Sequence, residues 1–510
     1  MSSPSVLSTV AGSKKSTWGK LHSLVSRTHP PATHPIERHD PSSAGGSEVS
    51  TIAQDTYVDD PDYKLPKLRY LIILNLQTVM SEVTFYIIIS SGNQYSESLG
   101  GTNTFSGLVI GIPTVFSGLA LAPMVRYDGG AYKWPLLFSA CASVLGNVLY
   151  GLAYKAQFLY LILISRIVLG VSFLSYLYVK RYCSDSRIVG ARRRTTLASW
   201  LVVMQSLGFA VGPFVGGLLY KIGLRNEVFN GYTSPGWVMA ALWVVFGTAI
   251  ALFFDDVPRT TRPADVESIP PKPTSVMPTK EQITEIHRVF EEKSGQPDSV
   301  TPTASSPSLS SDDRGLTWRQ WVVVGTMCWF AIVCFFILGA WEANIPIYTL
   351  QTFGSSPFAA GNLIALGGIC TLPFMLANVR LVRRVQDRWI LVVGSLLGLV
   401  GLLLAVGLLA TGKMTYWTLF ACWLFIALGF NLASTVTVSL ISKQVPYRWN
   451  VRTALFIQYS NYIGRVAGAV WGGAGVGMGM LNNIGLEIAL LGIGLVMCVA
   501  FWKQMKAKTG

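Results

Sequence analysis

The chain has 510 residues, is 51% hydrophobic and only 13% charged, and carries a formal net charge of +14. A soluble domain averages about 25% charged residues, so this composition, with a mean hydropathy of +0.45, excludes an ordinary soluble protein and places the chain in the membrane class. The positive charge is not a nucleic-acid signal, because the lysines and arginines lie mostly between apolar segments, where membrane topology requires them.

The first 66 residues are polar and rich in Ser, Thr and Pro, with no apolar core of the signal-peptide kind. They read as a disordered cytosolic tail, and the first membrane helix then acts as the insertion signal. Apolar runs predict helices over 68–91, 104–124, 134–154, 157–179, 196–221 and 235–254, forming an N-terminal bundle over 67–254. A second set is predicted over 319–345, 357–379, 389–410, 415–440, 452–476 and 483–502, forming a C-terminal bundle over 319–503, with a short cytosolic tail at 504–510. Each is about the 20 residues needed to span a hydrocarbon core. The fold class is therefore an all-α membrane protein of twelve transmembrane helices in two six-helix repeats.

Between the halves, 255–318 is polar and reads as a cytosolic loop. Within it, 279–293 places Ile283, Ile286, Val289 and Phe290 on one helical face behind a capping-box pair, Thr279 and Gln282. Fifteen basic residues fall in the loops after predicted helices 2, 4, 8 and 10, against three (Lys155, Arg225, Lys413) on the other side. That imbalance places both termini in the cytosol.

The halves repeat one another. GFAVGPFVGG (208–217) aligns with GRVAGAVWGG (464–473) at an offset of 256, and KWPLLFSACASVLG (133–146) with RWILVVGSLLGLVG (388–401) at 255. Gly208, Gly212 and Gly216 form a small-residue stripe, with Pro213 and Gly217 beside it; Gly464, Gly468 and Gly472 repeat the stripe. Such stripes allow helices to approach closely in lipid, here read as packing between the halves. A six-plus-six repeat is an architecture that binds substrate between its halves near the midplane.

LILISRIVLGV (161–171) and LGFAVGPFVGG (207–217) resemble the fourth-helix arginine motif and the fifth-helix glycine-proline motif of the major facilitator superfamily, the latter typical of its antiporter branches. The resemblance covers about 68–503. SEVTFYIIISSGNQY (81–95), KRYCSDSRIVGARRRTTLASWLVVMQSLGFAVGP (180–213) and WEANIPIYTLQTFG (341–354) are similar to the branch holding the lysosomal domain-containing protein 8 group. The loop 122–134 departs from the superfamily's G-x-x-x-D-R-x-G-R-R pattern and keeps only Asp128 and scattered basic residues, so the salt-bridge latch that motif provides is not expected to carry over. The resemblance implies packing of helix 5 on helix 8 and helix 11 on helix 2. It also implies a proton-coupling role for Arg166, against which stands a structural bond to neighbouring backbone carbonyls.

Ionisable residues inside a membrane helix are costly and mark function unless paired structurally. Glu82 and Glu342 are candidates for proton coupling with Arg166, because a carboxylate facing a low-dielectric cavity can bind and release a proton; an ion pair holding helices together is the alternative for each. Arg465 either neutralises a buried glutamate or binds an anionic substrate. Asn75, Gln205, Asn344, Tyr348, Asn431, Gln458 and Tyr459 join it as candidate substrate-binding residues, with Gln77, Asn461, Trp329, Trp341 and Trp423 as further polar or aromatic candidates.

The predicted helices hold no histidine, the chain has no GK[ST] phosphate loop, and its seven cysteines form no CxxC. No enzyme, cofactor, metal site or disulfide is expected. The expected function is secondary active transport by alternating access: proton-coupled antiport or efflux of an organic metabolite or anion. The partners are a small-molecule substrate, protons and the lipid bilayer, with no nucleic acid. A channel or a non-transporting receptor on the same scaffold is the alternative. The chain reads as a monomeric, multi-pass protein of a vacuolar, endolysosomal or plasma membrane.

Overall fold

The computed structural model describes residues 64–126, 130–185, 187–223, 226–256, 315–381 and 385–506. Residues 1–63 of the expected N-terminal tail, Asp128, and most of the central loop with its amphipathic segment 279–293 lie outside them.

The described residues form fourteen helices and no strand. In the first half these are α1 (Leu68–Tyr86), α2 (Gly92–Ser98), α3 (Asn103–Arg126), α4 (Lys133–Ala156), α5 (Leu159–Ser172), α6 (Ser175–Ser184), α7 (Ala191–Ile222) and α8 (Ser234–Phe253). In the second half they are α9 (Trp318–Phe353), α10 (Pro357–Leu381), α11 (Asp387–Ala410), α12 (Tyr416–Ser442), α13 (Tyr447–Met478) and α14 (Met480–Ala500). Ten segments, counting α5 and α6 as one, are long and apolar enough to cross a membrane. The two long helices outside that set, α1 and α13, are diluted by polar residues, among them Asn75, Gln77 and Glu82, and Gln458, Asn461 and Arg465. Large apolar side chains point outward all round, with Val499 78% exposed and Val245 69% exposed. Exposure on that scale is a liability in water and an asset in lipid.

Two predicted helices are each broken in two. The run expected over 68–91 stops at Tyr86, turns through Ile87–Ser91 and resumes as α2. Ser90, Ser91 and Gly92 are poor helix formers, and Ile89 donates its N–H back to Tyr86 rather than to Phe85. The run expected over 157–179 breaks at Phe173 and Leu174. There the Ser139 hydroxyl of α4 donates to the Ser172 carbonyl, inserting a side chain into the helical ladder. Conversely, the helix expected to end at 345 runs through Pro346 to Phe353 and closes on Gly354, whose φ of 60° is left-handed. Prolines within membrane helices are tolerated where neighbouring helices resatisfy the backbone.

The packing repeats between halves: α7 lies on α1 as α13 lies on α9, and α4 on α5 and α8 as α11 lies on α12 and α14. Contact between the halves runs through α7 on α10 and α13 on α3. The glycine stripes do a different job from the one expected. A methyl on Gly208, Gly212 or Gly216 would strike Glu82 or Tyr86 of α1 or Ile87 just beyond it, and on Gly464, Gly468 or Gly472 would strike the backbone of Ile332, Phe336 or Ala340 of α9. Both stripes therefore pack inside their own half. The neighbouring faces make the junction between halves, where Gly217 meets Pro357 and Phe358, Gly361 meets the Pro213 carbonyl, and Gly473 meets Asn103 and Gly107. Four-residue spacing identifies a face that wants a close neighbour and is silent about which helix supplies it.

Candidate central cavity

A cavity with two connected lobes, each of about 260 Å³, lies between the halves. Glu82, Tyr86, Gln205, Phe335 and Arg465 line both lobes. The first lobe adds Phe85, Thr114, Ser117, Phe173, Tyr176, Lys180, Gln458, Asn461 and Tyr462. The second adds Phe209, Glu342, Thr371, Met375, Asn431, Ser434 and Thr435 among others. Lys180, Val202 and Thr435 on its walls are exposed, and they stand toward the end of the bundle that bears the basic loops. At the other end, the contacts of Gly216 with Ile87 and of Gly361 with Pro213 close the bundle.

Arg465 is the electrostatic centre. Its side chain comes from α13, where Gly464 and Gly468 bring the helix against α9, which carries Glu342. The guanidinium is ion-paired with the Glu342 carboxylate and donates to the Tyr86 hydroxyl at 2.8 Å. It also lies 4.9 Å from the centre of the Phe85 ring and 5.3 Å from that of Tyr86, a cation–π arrangement. Glu342 is 2% exposed and Arg465 7%, so the pair is buried and its desolvation must be offset by these contacts. Glu82 stands on the cavity wall beside Tyr176 and Gln205 and makes no direct ion pair among the described residues.

Arg166 lies outside the two lobes and is fully buried. It donates to the carbonyls of Val109 at 3.2 Å, Thr84 at 3.4 Å and Phe85 at 3.3 Å. The last two are carbonyls at the C-terminus of α1, where the helix breaks and leaves acceptors free. A cation at that end also meets the negative pole of the helix. The geometry is that of a clamp on the broken first helix.

Of the other expected binding residues, Gln205, Asn431 and Gln458 line the cavity, as does Asn461. Four do not. Asn75 lies on neither wall. Asn344 turns away to donate to the Gly472 carbonyl at 3.0 Å. Tyr348 packs edge-on against Phe353, and Tyr459 donates across the halves to the Gly118 carbonyl at 3.2 Å. Among the further candidates, the indoles of Trp341, Trp329 and Trp423 reach Glu487, Leu490 and Ile364, and Gln77 reaches Ser139. All four serve as links between helices, the commoner use of a polar group in a membrane bundle.

Tyr86, Tyr176, Lys180, Phe335 and Tyr462 also line the cavity and are not among the residues expected from the sequence. A signal was present for three of them. Tyr86 lies four residues after Glu82, and Lys180 four after Tyr176, each pair sharing a helical face.

Outside the membrane-spanning segments, Asp185 accepts from the Tyr132 hydroxyl at 2.7 Å and from Arg187 at 2.6 Å. Burial pushes its carboxyl up, but the Arg187 and Tyr132 hydrogen bonds outweigh it and hold the pKa down at about 2. Asp256 accepts from the backbone N–H of Tyr132 and Lys133 at the start of α4. In the second half, Asp387 accepts from Lys443 at 3.1 Å and Ser439 at 2.8 Å. These carboxylates tie helix ends together within each half.

The model of the Major Facilitator Superfamily matches residues 74–469. The chain belongs to this superfamily. An uncharacterized MFS-type transporter of Schizosaccharomyces pombe is 30% identical over 472 residues, covering 91% of this chain and 87% of that one. A membrane protein of Oryza sativa subsp. indica described as SPX domain-containing is 26% identical, covering 78% of this chain and 58% of its own. Among solved structures, a POT family transporter superposes with a TM-score of 0.61 at 14% identity over 86% of this chain and 97% of that one. A D-xylose-proton symporter does so at 0.60 and 15% over 86% and 100%. A bacterial homolog of the lysosomal transporter Spinster, in an inward-facing conformation, gives 0.55 and 15% over 85% and 91%. At these identities the likeness shows the fold. The protein is thus a multi-pass integral membrane transporter of the superfamily, a class that acts on small molecules.

Proposed function

We propose that this transporter works by alternating access as a proton-coupled antiporter, exporting an organic metabolite or anion across a vacuolar, endolysosomal or plasma membrane. In this reading twelve helices span the bilayer, α1 with α2 and α13 included, and both termini are cytosolic. The observation that carries the reading is the unequal state of the two cavity carboxylates. Glu342 is neutralised by Arg465, whereas Glu82, on the same cavity wall, has no ion partner among the described residues. A carboxylate in a low-dielectric cavity that makes no direct ion pair, with cations near but not bound to it, is placed to take up a proton.

Arg465 lines both lobes, so it is placed to exchange Glu342 for Glu82. With Glu82 protonated, Arg465 stays with Glu342. When Glu82 releases its proton, it competes for the guanidinium, and the link between α9 and α13 loosens. A substrate anion is placed to compete for the same guanidinium, with Lys180 at the mouth drawing it in. Proton and substrate thereby share one cation, which is what obligatory exchange needs. Exposure of the cavity toward the basic-loop end supports an inward-open state under the expected topology.

The test is flux in proteoliposomes with an imposed pH gradient, using candidate metabolites drawn from those that accumulate in a deletion strain. Glu82→Gln should abolish gradient-driven accumulation while leaving substrate–substrate exchange largely intact, because exchange does not require the proton to move. Gradient-driven accumulation that survives Glu82→Gln would sink the proton assignment. Large unsaturating currents would identify a channel instead. A tagged chain followed by microscopy decides the membrane.

A further inference from the structure

Three buried side-chain oxygens without a hydrogen-bond partner belong to neighbouring residues of α9 and α14 beside α13: Glu487 Oε1, Asn483 Oδ1 and Asn344 Oδ1. Glu487 is 0% exposed, and both asparagines are 1% exposed. Asn483 and Glu487 stand one turn apart on the same face of α14, and Trp341 and Asn344 share a face of α9. The two faces meet: the Trp341 indole N–H donates to Glu487 Oε2 at 2.8 Å. Both asparagine amides reach the bare backbone of Gly475 with their nitrogen ends, where a methyl would lie 2.6 Å from Asn344 Nδ2, 2.9 Å from Asn483 Cγ and 3.0 Å from Asn483 Nδ2; the two Oδ1 atoms are the other ends of these amides.

Buried polar atoms are normally satisfied, and three orphans on neighbouring residues call for an explanation. All three are acceptors. The Trp341 indole is already spent on Oε2, and one N–H of the Asn344 amide on the Gly472 carbonyl. Among the described residues no basic side chain pairs with Glu487. A cluster of acceptors with one carboxylate and no cation is completed by a positive ion.

We propose that Glu487, Asn483 and Asn344 form a binding site for one hard monovalent metal cation, Na+ being the fitting example. Carboxylate and amide oxygens suit hard cations, and the absence of sulfur or imidazole among these ligands disfavours softer metals. One carboxylate balances one positive charge; a divalent ion would leave a net charge in a region that tolerates none. The site is separate from the central cavity, since none of the three residues lines either lobe. It is mechanically joined to it, because Glu342, the partner of Arg465, directly follows Trp341 in α9. Bound cation would steady the turn of α9 that holds the cavity's ion pair.

The experiment needs no substrate, so it is independent of the transport reading. The full-length protein, purified in detergent, is titrated with NaCl against choline chloride at constant ionic strength. Thermal unfolding and tryptophan fluorescence are followed, Trp341 and Trp471 reporting from beside the site. Wild type should show a saturable rise in melting temperature with Na+ and none with choline, as linkage requires. Glu487→Gln preserves the shape and should melt as wild type does in choline, while its half-saturating Na+ concentration rises by at least about tenfold, because affinity follows ligand charge. Asn483→Ala, which keeps the carboxylate, should also weaken Na+ binding and serves if the first variant does not fold. Equal melting of wild type in Na+ and choline, as a permanently protonated Glu487 would give, overturns the proposal. So does a Na+ response unchanged in both variants.

Discussion

Arg465 of α13 and Glu342 of α9 form a buried ion pair, and the same Nη2 of Arg465 donates to the hydroxyl of Tyr86 on α1. One guanidinium therefore joins both halves of the molecule at the floor of the cavity. Removing one partner of a buried pair leaves an uncompensated charge, at a cost of about 3–5 kcal/mol. Glu342→Gln and Arg465→Gln should each lower the melting temperature sharply. The double variant should lose much less than the sum, because neither neutral partner strands a charge. A thermal double-mutant cycle checks this; additive losses would mean the two residues act independently.

Arg166 should behave differently, because its partners are the carbonyls of Val109, Thr84 and Phe85. Lysine retains the charge and loses the planar fork. Arg166→Lys is expected to cost about 1.5–3 kcal/mol, the worth of one hydrogen bond to a charged group, and to speed amide exchange at residues 84–92. If exchange there is unchanged while proton-driven flux collapses, Arg166 acts in coupling and not as a clamp.

Gly216 tests the corrected view of the glycine stripe. A methyl there strikes the Ile87 carbonyl, whereas a methyl on Gly492 meets nothing within 4 Å. Overpacking of a tight contact costs about 1–3 kcal/mol. Gly216→Ala should destabilise the protein and Gly492→Ala should not, as read by detergent melting curves. Equal melting of the two would mean that α7 and α1 are not in close contact.

Asp185 offers a pH signature outside the membrane core. Its pKa of about 2 lies below the ordinary value of about 3.9. A depressed carboxylate contributes stability that is complete above the ordinary pKa and is lost as pH falls through the depressed one. The contacts joining Tyr132, Asp185 and Arg187 should therefore hold above about pH 4 and loosen progressively toward pH 2. Limited proteolysis or amide exchange over residues 130–190 should show the transition, and Asp185→Asn should remove its pH dependence.

The helices were legible because a bilayer demands long apolar runs and the chain supplies them. Their breaks were not. The interruption at Phe173 depends on the Ser139 hydroxyl, which comes from another helix, and no local propensity at 173–174 announces it. Glu82, Glu342, Arg465 and Gln205 stood out because polar groups within apolar runs are costly, and the structure gathers them around one cavity. Lys180 escaped notice because it ends an apolar run, where a lysine reads as an ordinary topological charge. Glu487 escaped for a similar reason, lying near the start of its run, although it is fully buried. Depth along a helix can be estimated by counting residues; which way the residue faces depends on packing.

The glycine-rich helices α7 and α13 carry a consequence for how this sequence can vary. Each presents one close-packed face to its own half, against α1 or α9, and another to the opposite half, against α10 or α3. A larger residue at either face meets backbone in most of these contacts, and backbone cannot repack as a side chain can. On α7 freedom remains at outward positions such as Leu207 and Phe214, 42% and 44% exposed. A saturation scan should thus find these two helices divided into narrow tolerant stripes and broad intolerant ones. Compensating changes will be scarce there, since relieving one face shifts the helix into the other.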